Sequence, residues 1–302
     1  MTNRPSYLDR LAARSAATGT VLCLGIDPDV ATLPAGFSRD LAGLERFSML
    51  LVEAAGRHAA AIKANLAFFE AHGSAGIAVL ERVRAAIPSD TPFIADAKRA
   101  DIGTTAARQA VALFDALGAD AVTVNPYLGV EAVGPLLERL DRFAYVLCRT
   151  SNPGAGELQG LRVAEGHGMP AEPLYMRVAR LATGWGPGDT VGLVIGATAP
   201  AELAAIRAVA PQLAFLVPGV GAQGGEVGPV LRDGPAAAPP TSARPGRGLL
   251  VNVSRGIAFA SPVAGRSESS RAAQGSVARA IAAAARDWAA RLPVLPLRPF
   301  EA

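Results

Sequence analysis

The sequence predicts a single-domain α/β protein built as a (β/α)8 TIM barrel, and three observations predict it. Eight short apolar runs recur along the 302 residues, stretches of helical periodicity lie between them, and polar residues gather where the runs end. A strand buried on both faces of a parallel sheet reads as a continuous apolar run. Strand–helix alternation carried through eight runs fits a closed barrel; an open, doubly wound sheet is the alternative with the same local pattern. A barrel takes roughly 250 residues. The length then leaves room for extras: an N-terminal helix over 6–18, an exposed flexible loop over 234–248 and a C-terminal helix over 274–292.

In chain order the runs are Thr20–Ile26 (TVLCLGI), Ala60–Asn65 (AAIKAN), Pro92–Lys98 (PFIADAK) and Ala119–Asn125 (ADAVTVN). Phe143–Arg149 (FAYVLCR), Thr190–Ala197 (TVGLVIGA), Ala214–Pro218 (AFLVP) and Gly248–Ser254 (GLLVNVS) complete the set. Each is bounded by Gly, Pro, Asp or Asn, residues that break strands into turns. Between the first two runs, 40–57 places Leu41, Leu44, Phe47, Leu51 and Ala55 on one helical face. The stretch 74–87 repeats this with Ile77, Leu80, Val83 and Ile87, and Pro88 stops it. A helix over 104–117 ends at Gly118, and 200–209 and 274–292 read as two more, the last amphipathic around Val277, Ile281, Trp288 and Leu292. The segment 234–248 (GPAAAPPTSARPGRG) has no periodicity and reads as an exposed loop, with a remote option that its arginines approach the end of the last strand.

Composition narrows the function classes. Half of the residues are apolar and 18% charged, so a packed core is expected and disorder is not. Lys and Arg number 29 against 26 Asp and Glu, a formal charge of +3, which points away from nucleic acid or anionic lipid as partners. The opening MTNRPSYLDR lacks the apolar stretch of a signal peptide, and no run is long enough to span a membrane. The two cysteines, Cys23 and Cys148, fall inside apolar runs and read as reduced core thiols of a cytoplasmic protein. His58, His72 and His167 lack metal-ligand spacing, so no metal site is expected.

Active sites of such barrels lie at the C-terminal ends of the strands. FIADAKRADIG places Asp96 and Lys98 two residues apart on a strand, hence on one face, behind the apolar pair Phe93 and Ile94. A carboxylate in that setting needs cations, and Lys98 and Lys63, at the end of the neighbouring run, supply them. Asp101 follows where the chain turns into the next helix. A structural ion pair plus a helix-terminal carboxylate at Asp101 would explain the same residues. Two cations and two anions at one barrel mouth favour a reaction centre. After the seventh run, PGVGAQGG (218–225) has the glycines that let backbone N–H groups approach an anion. VNVSRGI (251–257) adds Ser254 and Arg255, a guanidinium suited to phosphate oxygens. The loops after strands seven and eight are the usual phosphate site of this barrel, so a phosphorylated ligand is expected. Asp27, Ser151, Asn152 and Gln223 also follow runs.

LGIDPD, IKANLAFFE, FIADAKRADIGTT, NPYLG, RTSNPGAGELQ, PGVGAQGG and VNVSRGI, in that order between Leu22 and Ile257, resemble the orotidine 5′-phosphate decarboxylase family in its longer bacterial subfamily. D-x-K-x-x-D-I is the most specific of these motifs. The resemblance implies decarboxylation of orotidine 5′-phosphate to UMP in pyrimidine biosynthesis, without metal or organic cofactor, by a homodimer. It implies a Lys63–Asp96–Lys98–Asp101 array in which Lys98 protonates C6, Asp96 crowds the substrate carboxylate, and Lys63 holds Asp96 and a ribose hydroxyl. Asp101 and Thr105 would act across the dimer, Thr105 and Asp27 on the ribose. Ser151 would meet the pyrimidine amide edge, Gln223 would bridge ring and phosphate, and Arg255 would bind the phosphate, with Ser254 contributing through its backbone. Ala100, Val253 and Ser254 depart from the subfamily pattern, and none is a reacting group. Still open on the same scaffold are a Schiff-base aldolase using Lys63 or Lys98, a metal-dependent sugar-phosphate lyase, and a barrel that binds phosphate ligands without turnover.

Overall fold

A computed structural model describes residues 4–166, 168–260 and 271–296, so residues 1–3, His167, 261–270 and 297–302 lie outside the described residues. Eight parallel strands close into one barrel: β1 (Leu22–Ile26), β2 (Ala61–Asn65), β3 (Phe93–Arg99), β4 (Ala121–Val124), β5 (Phe143–Arg149), β6 (Val191–Ile195), β7 (Ala214–Pro218) and β8 (Leu249–Val253). Each pairs with its sequence neighbours, and β8 returns to β1 with Leu22 opposite Val251. The eight expected runs all form: two with the expected bounds, five trimmed by one to three residues, and β3 shifted by one to end at Arg99.

Strand alternation sorts the side chains into two cores. Leu22, Leu24, Ile62, Phe93, Val122, Val146, Leu193, Phe215 and Val251 face outward into the shell of helices. Their alternates, Cys23, Ala61, Ile94, Ala121, Phe143, Tyr145, Val194, Ala214, Leu216 and Leu250, fill the lumen. A first helix, α1 (Tyr7–Thr18), seals the N-terminal end. Ser6 caps it by accepting from the Asp9 N–H at 3.2 Å, and Tyr7, Leu8 and Leu11 pack onto the lumen. The Tyr7 ring stacks on Phe143 at 4.8 Å between centroids, and its hydroxyl meets that of Tyr145 at 3.1 Å.

The outer shell holds α2 (Leu41–Ala55), α3 (Gly73–Ala86), α4 (Gly103–Ala110), α5 (Leu174–Ala182), α6 (Pro200–Val209), α7 (Val227–Asp233) and α8 (Arg271–Arg291). Asp40 caps α2 through the Gly43 N–H at 2.8 Å. The stretch 104–117 is not one regular helix: α4 passes into a π-helical segment over Val111–Ala116 before Gly118 ends it with φ +71°. Helix α5 and the small hairpin pairing Arg162–Val163 with Glu172–Pro173 were not foreseen.

The loop 234–248 corrects an expectation. It is only partly exposed: Ala237, Pro239, Pro240 and Ala243 face solvent, but Ala236, Thr241, Gly246, Arg247 and Gly248 are buried, and a short 3₁₀ turn packs the segment beside α1. Its carbonyls and amides find fixed partners, Ala237 N–H on Pro211 O at 2.7 Å and Arg247 Nε–H on Ala236 O at 2.7 Å. Arg244 bridges Asp9 (2.8 Å) and Asp189 (3.0 Å). The segment therefore belongs to the N-terminal end, and its arginines do not approach the mouth where the strands finish. Absent periodicity excludes a regular helix or strand; it carries no information about burial, which here comes from hydrogen bonds irregular backbone can still make. Among the described residues no helix is long and apolar enough to cross a membrane.

Candidate active site

The C-terminal mouth opens into a cavity of about 1140 Å³. Asp27, Lys63, Asp96, Lys98, Ser151, Gln223, Ser254 and Arg255 all line it. Asp101 and Thr105 do not. Asp101 is half-buried beside the mouth, its N–H bound to Ala132 O at 3.2 Å and its Oδ1 to the Ile102 N–H at 2.8 Å; Thr105 is exposed on α4.

The floor is a chain of charges. Lys63, only 4% exposed, donates from Nζ to Asp96 Oδ2 at 2.8 Å and lies 3.8 Å from Asp27 Oδ1. Lys98 Nζ donates to Asp96 Oδ1 at 2.6 Å. Burial by itself would pull the Lys63 ammonium down, but Asp27 and Asp96 outweigh it and hold that group above the usual lysine range. Burial would likewise raise Asp96, and Lys63 and Lys98 reverse this, holding its carboxyl well below the usual carboxylate range. Lys63 and Asp96 are thus each held in the charged form by their neighbours.

Lys98 owes its position to a break in the sheet. Ala95 pairs with Val122 but Arg99 with Val124, so Asp96, Ala97 and Lys98 oppose the single residue Thr123. Lys98 takes a left-handed φ of +49° in this bulge, which side-chain-bearing residues rarely adopt. Its N–H donates to Thr123 Oγ1 at 3.0 Å, and that hydroxyl donates to Asp96 Oδ1 at 2.9 Å.

Glycines make room for the rest of the wall. A Cβ on Gly25 would fall 1.8 Å from Ser254 Oγ, so only glycine on β1 lets that serine sit beside the cavity. Gly219 (φ +98°) follows β7, and a Cβ there would stand 3.0 Å from Gln223 Oε1 and 3.2 Å from Ser151 Cβ. The loop after β5 is braced by Gln159, which takes the Thr150 N–H on Oε1 at 2.9 Å and donates to Thr150 Oγ1 at 2.8 Å. Within the glycine loop the N–H groups of Gly221, Gly224 and Gly225 bond to the loop's own carbonyls, so fewer remain for an anion than the sequence suggests. The buried Oδ1 atoms of Asp27 and Asn252 have no hydrogen-bond partner, as expected where a ligand's hydroxyl or N–H belongs.

Sequence reasoning missed Thr123 and Asn252. Thr123 is a β-branched residue in AVTV and reads as strand filler, with nothing local to mark it. Asn252 in LLVNV did carry a signal, one amide in an apolar run.

Fold and site together define the class: a (β/α)8-barrel enzyme with a Lys–Asp–Lys centre at the C-terminal mouth. The chain belongs to the Orotidine 5′-phosphate decarboxylase / HUMPS family, whose model matches residues 20–269. It is 43% identical over 266 residues to orotidine 5′-phosphate decarboxylase of Herpetosiphon aurantiacus, covering 88% of this chain and 94% of that one. The structure of Leishmania donovani OMP decarboxylase superposes with a TM-score of 0.72 at 38% identity, covering 93% of this chain and 98% of the other. Leishmania donovani UMP synthase gives a TM-score of 0.74 at 40% identity; 93% of this chain spans only 56% of that longer one.

Proposed function

We propose that this chain decarboxylates orotidine 5′-phosphate to UMP in pyrimidine nucleotide synthesis, with Lys98 as proton donor and no cofactor. The observation that carries the reading is Asp96 clamped between Lys63 and Lys98 on the cavity floor, at 2.8 and 2.6 Å. In the reaction the C6–carboxylate bond breaks, CO2 leaves, and the electron pair stays on C6 in an orbital that no neighbouring π system relieves. The Lys98 ammonium gives C6 its proton, becomes a neutral amine and regains a proton from solvent. A fixed ammonium stabilises the developing carbanion without reorganising, and the apolar side chains of Leu147, Val194 and Leu216 that line the same cavity lower the local dielectric. Asp96 lies where the substrate carboxylate would be crowded. Binding energy from the distant phosphate, on Arg255, Gln223 and the Ser254 backbone, offsets that repulsion. Asp27 and Lys63 would hold the ribose hydroxyls, and Ser151 the amide edge of the ring. A Schiff-base role for Lys63 is disfavoured, because such a lysine needs a lowered pKa and this one is raised.

The working unit we propose is a cytoplasmic homodimer. Asp101 and Thr105 lie outside their own cavity, beside the exposed apolar side chains of Ile102, Tyr127, Leu128 and Val130. A second copy seated there would cover these side chains and bring its Asp101 and Thr105 to the neighbouring mouth.

The test is UMP formation from orotidine 5′-phosphate by purified protein, with and without EDTA. Turnover indifferent to EDTA is expected. No turnover by folded protein overturns the activity, and loss with EDTA overturns its cofactor-free form. For the shared site, inactive Lys98→Ala and Asp101→Asn proteins are mixed. Partial recovery of activity is expected, and none despite subunit exchange would confine the site to one chain.

A further inference from the structure

We propose that Thr123 is a positioning residue for the proton donor: its one hydroxyl fixes both the bulge that carries Lys98 and the carboxylate that aims the Lys98 ammonium. This rests on the decarboxylase reading above.

The direction of each hydrogen bond is forced by chemistry. The Lys98 backbone N–H can only donate, so Thr123 Oγ1 accepts it at 3.0 Å. Ionised Asp96 can only accept, so the same hydroxyl spends its single proton on Asp96 Oδ1 at 2.9 Å. Lys98 Nζ reaches that same oxygen at 2.6 Å, closing a ring from backbone N–H through hydroxyl and carboxylate to ammonium. Thr123 is 2% exposed, so water cannot easily replace its hydroxyl.

The ring matters because little else holds Lys98. Its side chain is 48% exposed, and its backbone is in a left-handed conformation that the sheet does not support, since no β4 backbone group faces it in register. With valine at 123 the shape of the strand would survive. The Lys98 N–H would lose its acceptor, and Asp96 Oδ1 would keep only the lysine that it is meant to orient. The bulge could then relax toward an ordinary strand conformation and swing Nζ away from C6. The groups proposed to hold phosphate, Gln223, Ser254 and Arg255, follow β7 and β8, and Asp27 follows β1, all away from the bulge; Lys63 keeps its own bond to the other Asp96 oxygen.

The experiment compares Thr123→Val, which keeps the β-branch and removes the hydroxyl, with Thr123→Ser, which does the reverse. Two readouts are used: kcat and KM for orotidine 5′-phosphate, and exchange of the C6 hydrogen of 5-fluoro-UMP for deuterium in D2O. The second requires proton transfer at Lys98 but involves no substrate carboxylate, and the fluorine acidifies C6–H enough to measure it. Thr123→Val is expected to lose about 10- to 100-fold in kcat and a similar factor in exchange. KM should change less than about threefold, and Thr123→Ser should restore both rates to within about threefold of the unsubstituted protein. Unchanged rates in a folded Thr123→Val protein overturn the proposal. So does equal loss in Thr123→Ser, which would assign the effect to the methyl group, or a loss confined to KM. Lys98→Ala separates this from the parent reading: if it stays active, the assignment of Lys98 as donor falls and this proposal with it. If it is dead while Thr123→Val is unimpaired, this proposal alone is lost.

Discussion

Each end of the barrel holds an aspartate among cations, largely buried at one end and wholly buried at the other, yet only one end is built for chemistry. At the C-terminal mouth Asp96 sits between Lys63 and Lys98. At the sealed end Asp120 has no side-chain exposure and gathers Arg4 (2.7 Å), Arg10 (2.6 Å), Arg142 (3.5 Å) and Arg84 (3.8 Å), with the Phe93 N–H on its Oδ2 at 2.8 Å. The two clusters differ in the kind of cation and in what lies beyond it. Arginine holds its proton at any pH a protein meets, so the Asp120 cluster can fasten α1 to the strands but cannot supply a proton. Lysine is a compact ammonium that can give one up. The mouth also opens onto a cavity, whereas Tyr7, Leu8 and Leu11 close the other end. A buried carboxylate–cation cluster is thus not a mark of catalysis by itself; lysine facing a cavity is.

Replacements at the two ends should fail in opposite ways. Lys98→Ala is expected to lower kcat at least about 10³-fold, the reach of a positioned general acid, while its melting temperature stays near that of the unsubstituted protein. A large stability loss with little loss of rate would erase the distinction. Asp120→Ala should do the converse, costing about 3–5 kcal/mol in urea unfolding by leaving its arginines without their shared anion, with kcat of the folded protein unchanged. A rate loss in that variant would show the two ends to be coupled.

A smaller effect is expected in the pH dependence of stability. Asp96 is held below its ordinary range by Lys63 and Lys98. Its contribution is present above about pH 3.9 and is lost as the pH falls from there through its lowered native value. Lys63 is held above its ordinary range, so its contribution is complete below about pH 10.4 and disappears as the pH rises through its raised native value. Urea midpoints across this span should show a shallower acid decline in Asp96→Asn than in the unsubstituted protein. Parallel declines would mean other carboxylates set the acid limit.

The smallest effect concerns the lumen between the two ends. Burial pushes the Cys23 thiol up to about 12 and also raises that of Cys148. Neither should react with a thiol reagent at pH 8 until the protein is unfolded. Rapid labelling of Cys23 in native protein would show that the lumen opens.

Much of this was legible beforehand, for identifiable reasons. The strands could be found because a buried parallel strand must be apolar throughout, and FIADAKRAD stood out because charge inside such a run is costly. Gly118 and Pro88 marked helix ends because their backbone restrictions are local. The buried path of 234–248, the π-helical segment at Val111–Ala116 and the role of Thr123 were not legible. The first and the last depend on contacts with residues far away in the chain, Pro211 for the first and Asp96 and Lys98 for the last.

The sequence by itself determined the barrel, the family and the identity of the charged residues, because periodicity, strand-end polarity and motif order are properties of neighbouring positions. Tertiary structure decided which oxygen each lysine takes, which end of the barrel is open, and that Asp101 and Thr105 stand outside their own cavity. Those outcomes follow from closure of eight strands into a ring, which brings Lys63, Asp96 and Thr123 from three strands to one point that no local pattern encodes.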